Sequence, residues 1–409
     1  MLKRIPVKQL RVGMYIHEFC GSWYDHPFWR NAFMLDKPED LRDILSTGIK
    51  EVWIDTGKGL DVDGGKSEEV VASEIDDTLA RADAGKKIAH HDDIAREAVR
   101  AVKICAQSKQ AVASMFHEAR MGKALNASDA LPVVEEIATS VMRNPGALIS
   151  LARLKDKDNY TYMHSVAVCA LMVALARQLG LDEEQTRQAG LAGLMHDIGK
   201  TMVPLEIINK PGRLTEAEFQ IMKNHPIDGH IILLESKGIS DIVRHVCLHH
   251  HEKVDGSGYP DKLADGKIDL YAKMAAICDV YDAITSIRAY KNGWEPAQSI
   301  RKMAEWSHGH FDWRIFEAFV RSMGIYPVGS MVRLASDHLG VVVGQTEQSL
   351  LTPKVKVFFS IKSNARIIPE ILDLSKPSCN DKIVSHEDPD KWDISDIQEL
   401  WSDISAAPW

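Results

Sequence analysis

The spacing of hydrophobic and polar positions changes along the chain and divides it into four stretches. Residues 1–62 carry short alternating apolar runs, at 10–16 and 52–55, with turn residues between them. That pattern predicts a small strand-rich α+β module with one helix near 38–48. Residues 63–146 begin polar and charged and then become helical. Ile94, Val99, Val102, Cys105, Val112 and Met115 recur at helical spacing within 92–123, the pattern of a long amphipathic helix that joins domains or pairs with a partner helix. Asn126 caps a further helix, which stops at Asn144-Pro145-Gly146.

Residues 147–325 read as nearly continuous helix. Thr215 and Glu218 form a capping box, Ser240 caps a helix after Gly238, and Pro296 sits where a first helical turn tolerates it. Beyond Tyr326, the runs at 331–334, 341–343 and 355–359 predict strands, and 377–409 reads as a polar tail with one late helix. The fold class is therefore mainly α: an all-helical domain at 147–325, a small strand-rich N-terminal domain and a β-rich C-terminal extension at 326–409.

Composition adds little to the fold but excludes several functions. Lys and Arg number 49 against 58 Asp and Glu, a net charge of −9 that argues against a general nucleic-acid or anionic-membrane binder. The longest uninterrupted apolar run, 166–176, is far shorter than the roughly 20 residues a bilayer requires, so no membrane span is expected. Six scattered cysteines without CxxC spacing fit reduced thiols and a cytoplasmic location.

Histidine is the informative residue. Eight of the 17 histidines (164, 196, 225, 230, 245, 249, 250 and 251) fall between 164 and 251. Several His and Asp residues on inward faces of successive helices point to metal binding. On a helix around 185–200, His196 and Lys200 share a face with Asp197 beside them, and Gly193 allows close approach. In 243–251 the apolar stripe through Val243, Val246 and Cys247 continues to His250 and His251 and bypasses His249. Asp279 and Asp282 lie in an otherwise apolar helix, where burial would be costly without a nearby cation. His164 and His225 complete a set of candidate ligands.

At these residues the sequence resembles the HD-GYP family, a subgroup of the HD-domain metal-dependent phosphohydrolases that hydrolyse cyclic di-GMP. The matching motifs are Tyr160-Thr161-Tyr162-Met163-His164-Ser165, His196-Asp197-Ile198-Gly199-Lys200, Lys223-Asn224-His225-Pro226, His250-His251-Glu252, Asp255-Gly256-Ser257-Gly258-Tyr259-Pro260 and Asp279-Val280-Tyr281-Asp282-Ala283. Residues 1–62 also resemble the small N-terminal domain of unknown function found on some of these proteins. The resemblance implies two divalent transition-metal ions, iron or manganese, held by His164, His196, Asp197, His225, His250, His251 and Asp279, with Asp197 bridging. It implies catalytic roles for Asp197 and Lys200 and substrate binding by Lys200, Tyr259, Asp282, Arg288 and Lys291.

Three departures qualify the likeness. Tyr160 stands where relatives that bind three metals carry Glu, which favours two ions here. Arg288-Ala289-Tyr290 replaces the common Arg-Pro-Tyr, and Asp312-Trp313 the usual Asp-Pro. The implied activity is hydrolysis of cyclic di-GMP to pGpG or GMP. The alternatives are a weakly catalytic receptor or cyclase-binding adaptor, and a phosphodiesterase for another cyclic dinucleotide. The loop around Tyr259 would be the contact for a diguanylate cyclase (GGDEF) domain, and a homodimer is left open.

Overall fold

A computed structural model describes residues 1–21, 32–88, 93–153, 160–210, 212, 214–286 and 293–404. Arg288 and Lys291, and the side chain of Tyr160, lie outside them.

The N-terminal sheet contains β1 (Leu2–Pro6), β2 (Tyr15–Phe19), β3 (Phe33–Met34), β4 (Glu51–Asp55) and β5 (Lys66–Ser67), with helix α1 (Pro38–Ser46) before β4. Its strands run antiparallel in the order β3-β2-β4-β1-β5. Alternation along β4 divides its side chains between two cores. Val52 and Ile54 join a small core with Ile5, Met14, Ile16 and Ile44, whereas Trp53 faces the opposite way, into the main helical core.

The helical body follows as α2 (Glu68–Ala84), α3 (Ile94–Arg120), α4 (Ala127–Arg143), α5 (Pro145–Arg153), α6 (Tyr160–Gln178) and α7 (Glu183–Met195). The long helix is α3, but its buried stripe runs through Ala98, Ala101, Cys105, Val112 and Phe116, and Val99 is 64% exposed. Small alanines allow close helix contact there, so the inward face is not the one marked by the larger apolar residues. The helix does not stand apart as a connector, because its stripe belongs to the main core.

The rest of the body is α8 (Leu205–Ile208), α9 (Glu216–Met222), α10 (His225–Leu234), α11 (Asp241–His249), α12 (Leu270–Thr285), α13 (Pro296–His310) and α14 (Trp313–Met323). Both Thr215–Glu218 capping bonds form, Ser240 accepts from Val243 N–H, and Pro296 occupies the first turn of α13. α6 carries the longest apolar run and is buried on nearly all sides after its first turn. No helix among the described residues is long and apolar enough to cross a membrane.

The C-terminal strands β6 (Met331–Leu334), β7 (His338–Gly344), β8 (Lys354–Ser360), β9 (Ala365–Asp373) and β10 (Ile383–His386) form an antiparallel sheet ordered β10-β6-β7-β8-β9. One face, with Leu339, Val341 and Val343, packs on the helical core; the other buries Val332, Leu334, Val342 and Val355. The expected polar tail is tied down instead. β10 pairs with β6, and α15 (Ile397–Ser402) buries Leu400 and Trp401 against the main core.

Candidate metal centre

Five elements bring the histidines and aspartates together. His164 lies in the first turns of α6, and Asp279 and Asp282 lie on α12, one helical turn apart. α7 is started by a capping box between Asp182 and Gln185 and ends at Met195, with His196 as its C-cap. The α-helix therefore does not continue to Lys200. After Asp197 the chain tightens into a 3-10 turn, Ile198–Met202, and Lys200 folds back onto the Asp197 carboxylate.

Tertiary contact explains this ending. A Cβ built on Gly199 would lie 1.9 Å from the carbonyl oxygen of His225 and 2.4 Å from Gly229 N, so only glycine lets the turn press against α10. The expectation for Gly193 holds: its Cβ would come within 2.9 Å of Val168 O and 3.1 Å of Cys169 Cα on α6. His225 begins α10, with Pro226 in the first turn. His250 caps α11 and His251 follows it, so this helix too is shorter than its sequence pattern.

His164, His196 and Asp279 form one buried group whose potential ligand atoms all lie within 4.8 Å of one another; His225, His250 and His251 form a second. Asp197 stands between them. Its Oδ2 is 3.4 Å from Nε2 of both His164 and His196, and its Oδ1 is 3.3 Å from His225 Nε2 and 3.9 Å from His250 Nε2. His164 Nε2 is 3.0 Å from Asp279 Oδ1, and His251 Nδ1 is 3.8 Å from Asp279 Oδ2.

Hydrogen bonds on the far side of the rings settle which nitrogen faces inward. His196 Nδ1 donates to Gly193 O at 2.8 Å, His225 Nδ1 to Met222 O at 2.7 Å, and His250 Nδ1 to Cys247 O at 3.0 Å. A carbonyl can only accept, so each Nδ1 carries a proton, and Nε2 is the nitrogen that faces the cluster. His164 Nδ1 lies 2.6 Å from Asp282 Oδ2, the carboxylate–histidine arrangement that orients metal ligands. Asp282 is therefore buried against His164.

At His225 and His250 the electrostatics fit a cation. Burial holds His225 down to about 4 and His250 to about 3, leaving their rings neutral and able to coordinate. Burial opposes charge on His164 as well, but hydrogen bonds with Asp197, Asp279 and Asp282 outweigh it and raise the ring to about 9. Burial likewise works against the Asp197 carboxylate, yet His196, Lys200 and His164 hold it well below its usual range. Within this set, His196 Nε2 and Asp197 Oδ1 are buried without a hydrogen-bond partner among the described residues. Such orphaned polar atoms are costly to bury, and a metal ion would satisfy them.

Other expected residues surround the cluster. Tyr259 stacks on His251 with ring centroids 4.7 Å apart, and Lys223 Nζ lies 5.5 Å from the Tyr259 ring. His249 turns away and pairs with Asp261 at 3.0 Å, as the helical register predicted. Glu252 received no role from sequence. It is buried and accepts from Asp261 N–H at 2.7 Å and Leu263 N–H at 3.0 Å, fixing the loop that carries Tyr259. Its place directly after the paired histidines was the available signal.

Residues 2–130 match a domain of unknown function, DUF3391, and residues 132–315 match the HD domain. The chain is 50% identical over 408 residues to "Cyclic di-GMP phosphodiesterase PA4108" of Pseudomonas aeruginosa, covering 100% of this chain and 97% of that protein. It is 38% identical over 171 residues to "3′3′-cGAMP-specific phosphodiesterase 1" of Vibrio cholerae, covering 42% of this chain and 39% of that one. Against "Cyclic di-GMP phosphodiesterase response regulator RpfG" of Xanthomonas campestris the identity is 39% over 148 residues, covering 36% of this chain and 39% of that protein.

Proposed function

Since the chain belongs to the HD-GYP family of HD-domain proteins, we propose that it is a metal-dependent phosphodiesterase that hydrolyses cyclic di-GMP at the His-Asp cluster. The full-length likeness to a cyclic di-GMP phosphodiesterase supports the substrate, and the two donor groups on either side of Asp197 support the chemistry. His164, His196 and Asp279 would hold one divalent ion and His225, His250 and His251 a second, with Asp197 offering one carboxylate oxygen to each. Mixed imidazole and carboxylate donors suit iron or manganese. When bound, such a pair supplies Lewis acidity and a water acidified to near neutrality.

The chain's own groups do the rest. Asp282 keeps the His164 ring in place, and Tyr259 keeps His251 in place by stacking. Lys200, beside Asp197, opposes the negative charge that grows on the phosphodiester during attack, a task that Arg288 and Lys291 would share. The loop bearing Tyr259 is also our candidate surface for a GGDEF domain.

A second substrate, 3′3′-cGAMP, is kept in view by the likeness to the Vibrio cholerae enzyme. Product chromatography with manganese-loaded protein, using cyclic di-GMP and 3′3′-cGAMP in parallel, tests the assignment. The proposal expects pGpG or GMP and a higher kcat/KM for cyclic di-GMP. Binding without any product would instead indicate a receptor.

A further inference from the structure

The loop that brings Tyr259 to His251 is held at its other end by the N-terminal domain. Asp255 opens this loop. Its Oδ1 accepts from Ser257 N–H at 2.8 Å and from Ser257 Oγ at 2.6 Å, and its Oδ2 pairs with Lys50 Nζ. Three residues after Asp255, Gly258 lies so close to the main chain of His251 and Glu252 that a Cβ would be 2.4 Å from Glu252 Cα, and Tyr259 N–H donates to His251 O at 3.3 Å. A short path thus runs from Lys50 through Asp255 and Ser257 to the ring stacked on His251.

Lys50 directly precedes β4, and its main chain is fixed by Val7 N–H donating to Lys50 O at 2.7 Å. The sheet is anchored on α13 by buried groups. Trp53 Nε1 donates to Glu305 Oε1 at 2.7 Å, and the Arg4 guanidinium donates to Glu305 O at 3.3 Å. The last turn of α13 touches the same loop, because Asp255 N–H donates to Gly309 O at 3.2 Å. A cleft of about 60 Å³, lined in part by Lys50, Asp255, Ser257 and His310, remains between sheet and loop, and the Lys50 ammonium reaches Asp255 across this border.

We propose that Lys50 is a positioning residue for the reaction, acting from the N-terminal domain through Asp255 on the loop that stacks Tyr259 against His251. The role rests on the functional reading above. Lys50 is 55% exposed, so removing its charge leaves the buried anchors intact and the fold standing.

The test uses the full-length, manganese-loaded protein and the variants Lys50→Ala and Lys50→Arg. Hydrogen exchange at the 255–261 amides and kcat/KM with cyclic di-GMP are measured together. Lys50→Ala should exchange faster at Ser257 and Tyr259 and lose about two- to five-fold in kcat/KM, the range open to a partly exposed pair, with metal content unchanged. Lys50→Arg should restore both readouts. If Lys50→Asp disturbs the loop, adding Asp255→Lys should recover its protection. Wild-type exchange and kinetics in Lys50→Ala, or equal impairment in Lys50→Arg, would overturn the proposal. If no form hydrolyses cyclic di-GMP, the functional reading falls, and the exchange comparison alone decides whether Lys50 holds the loop.

Discussion

Adding one methyl group at Gly199 should damage both the fold and the metal centre. In Gly199→Ala the new Cβ would start 1.9 Å from His225 O and 2.4 Å from Gly229 N, while real Cβ contacts essentially never fall below 3.0 Å. Both opposing atoms are main chain, so no side chain can rotate away, and α10 must retreat from the 3-10 turn by more than 1 Å. Overpacking of this kind costs about 3 kcal/mol or more when relief requires backbone movement. For a domain of this size that corresponds to a fall in Tm of roughly 6–12 °C. The same displacement carries His225 away from Asp197, whose Oδ1 is 3.3 Å from its Nε2. Ligand distances at a metal site tolerate only about ±0.2 Å, so manganese affinity should fall with stability. Thermal unfolding with and without manganese measures both effects. Gly266→Ala serves as the control, because nothing lies within 4 Å of a Cβ at that position. A Gly199→Ala protein with wild-type Tm and wild-type manganese affinity would refute the packing argument.

Other substitutions probe separate parts of the site. His251→Ala should lower turnover and metal content far more than His249→Ala, since His249 pairs with Asp261 outside the cluster; elemental analysis and steady-state rates decide, and the reverse order would contradict the assigned pair. Asp282→Asn removes the carboxylate 2.6 Å from His164 Nδ1 and should weaken manganese binding by about 10- to 100-fold, measured by competition with a chelating dye. Unchanged affinity would mean that Asp282 does not orient a ligand.

Local pattern carried much of this architecture. The period of 3.6 through Val243, Val246 and Cys247 was enough to separate His250 from His249, because those three residues bury that face of α11 up to its cap. Caps at Thr215, Ser240 and Asn126 were readable because each is a bond within a few residues of the chain. The end of α7 at Met195 was not readable, since it is imposed by Gly199 meeting α10, a contact between elements. Asp282 gave a similar difficulty: a carboxylate one turn beyond Asp279 has no local signal for its partner, and its contact with His164 joins residues 118 positions apart. The stripe of α3 was displaced from its large apolar residues because alanines form the closest helix contacts. The Lys50–Asp255 and Trp53–Glu305 links join residues more than 200 positions apart, and no local spacing encodes them.

A binuclear centre with Asp197 between its two ions, as proposed, makes metal stoichiometry in the wild type and in Asp197→Ala the decisive measurement. Both proteins would be expressed with ample iron and manganese, purified and measured by elemental analysis, with circular dichroism confirming the helical fold. About two transition-metal ions per chain are expected in the wild type, given two donor groups with Asp197 between them, and clearly fewer in Asp197→Ala with the helices retained. A wild-type protein with no metal or with three ions, or an Asp197→Ala protein that still holds two, would contradict it.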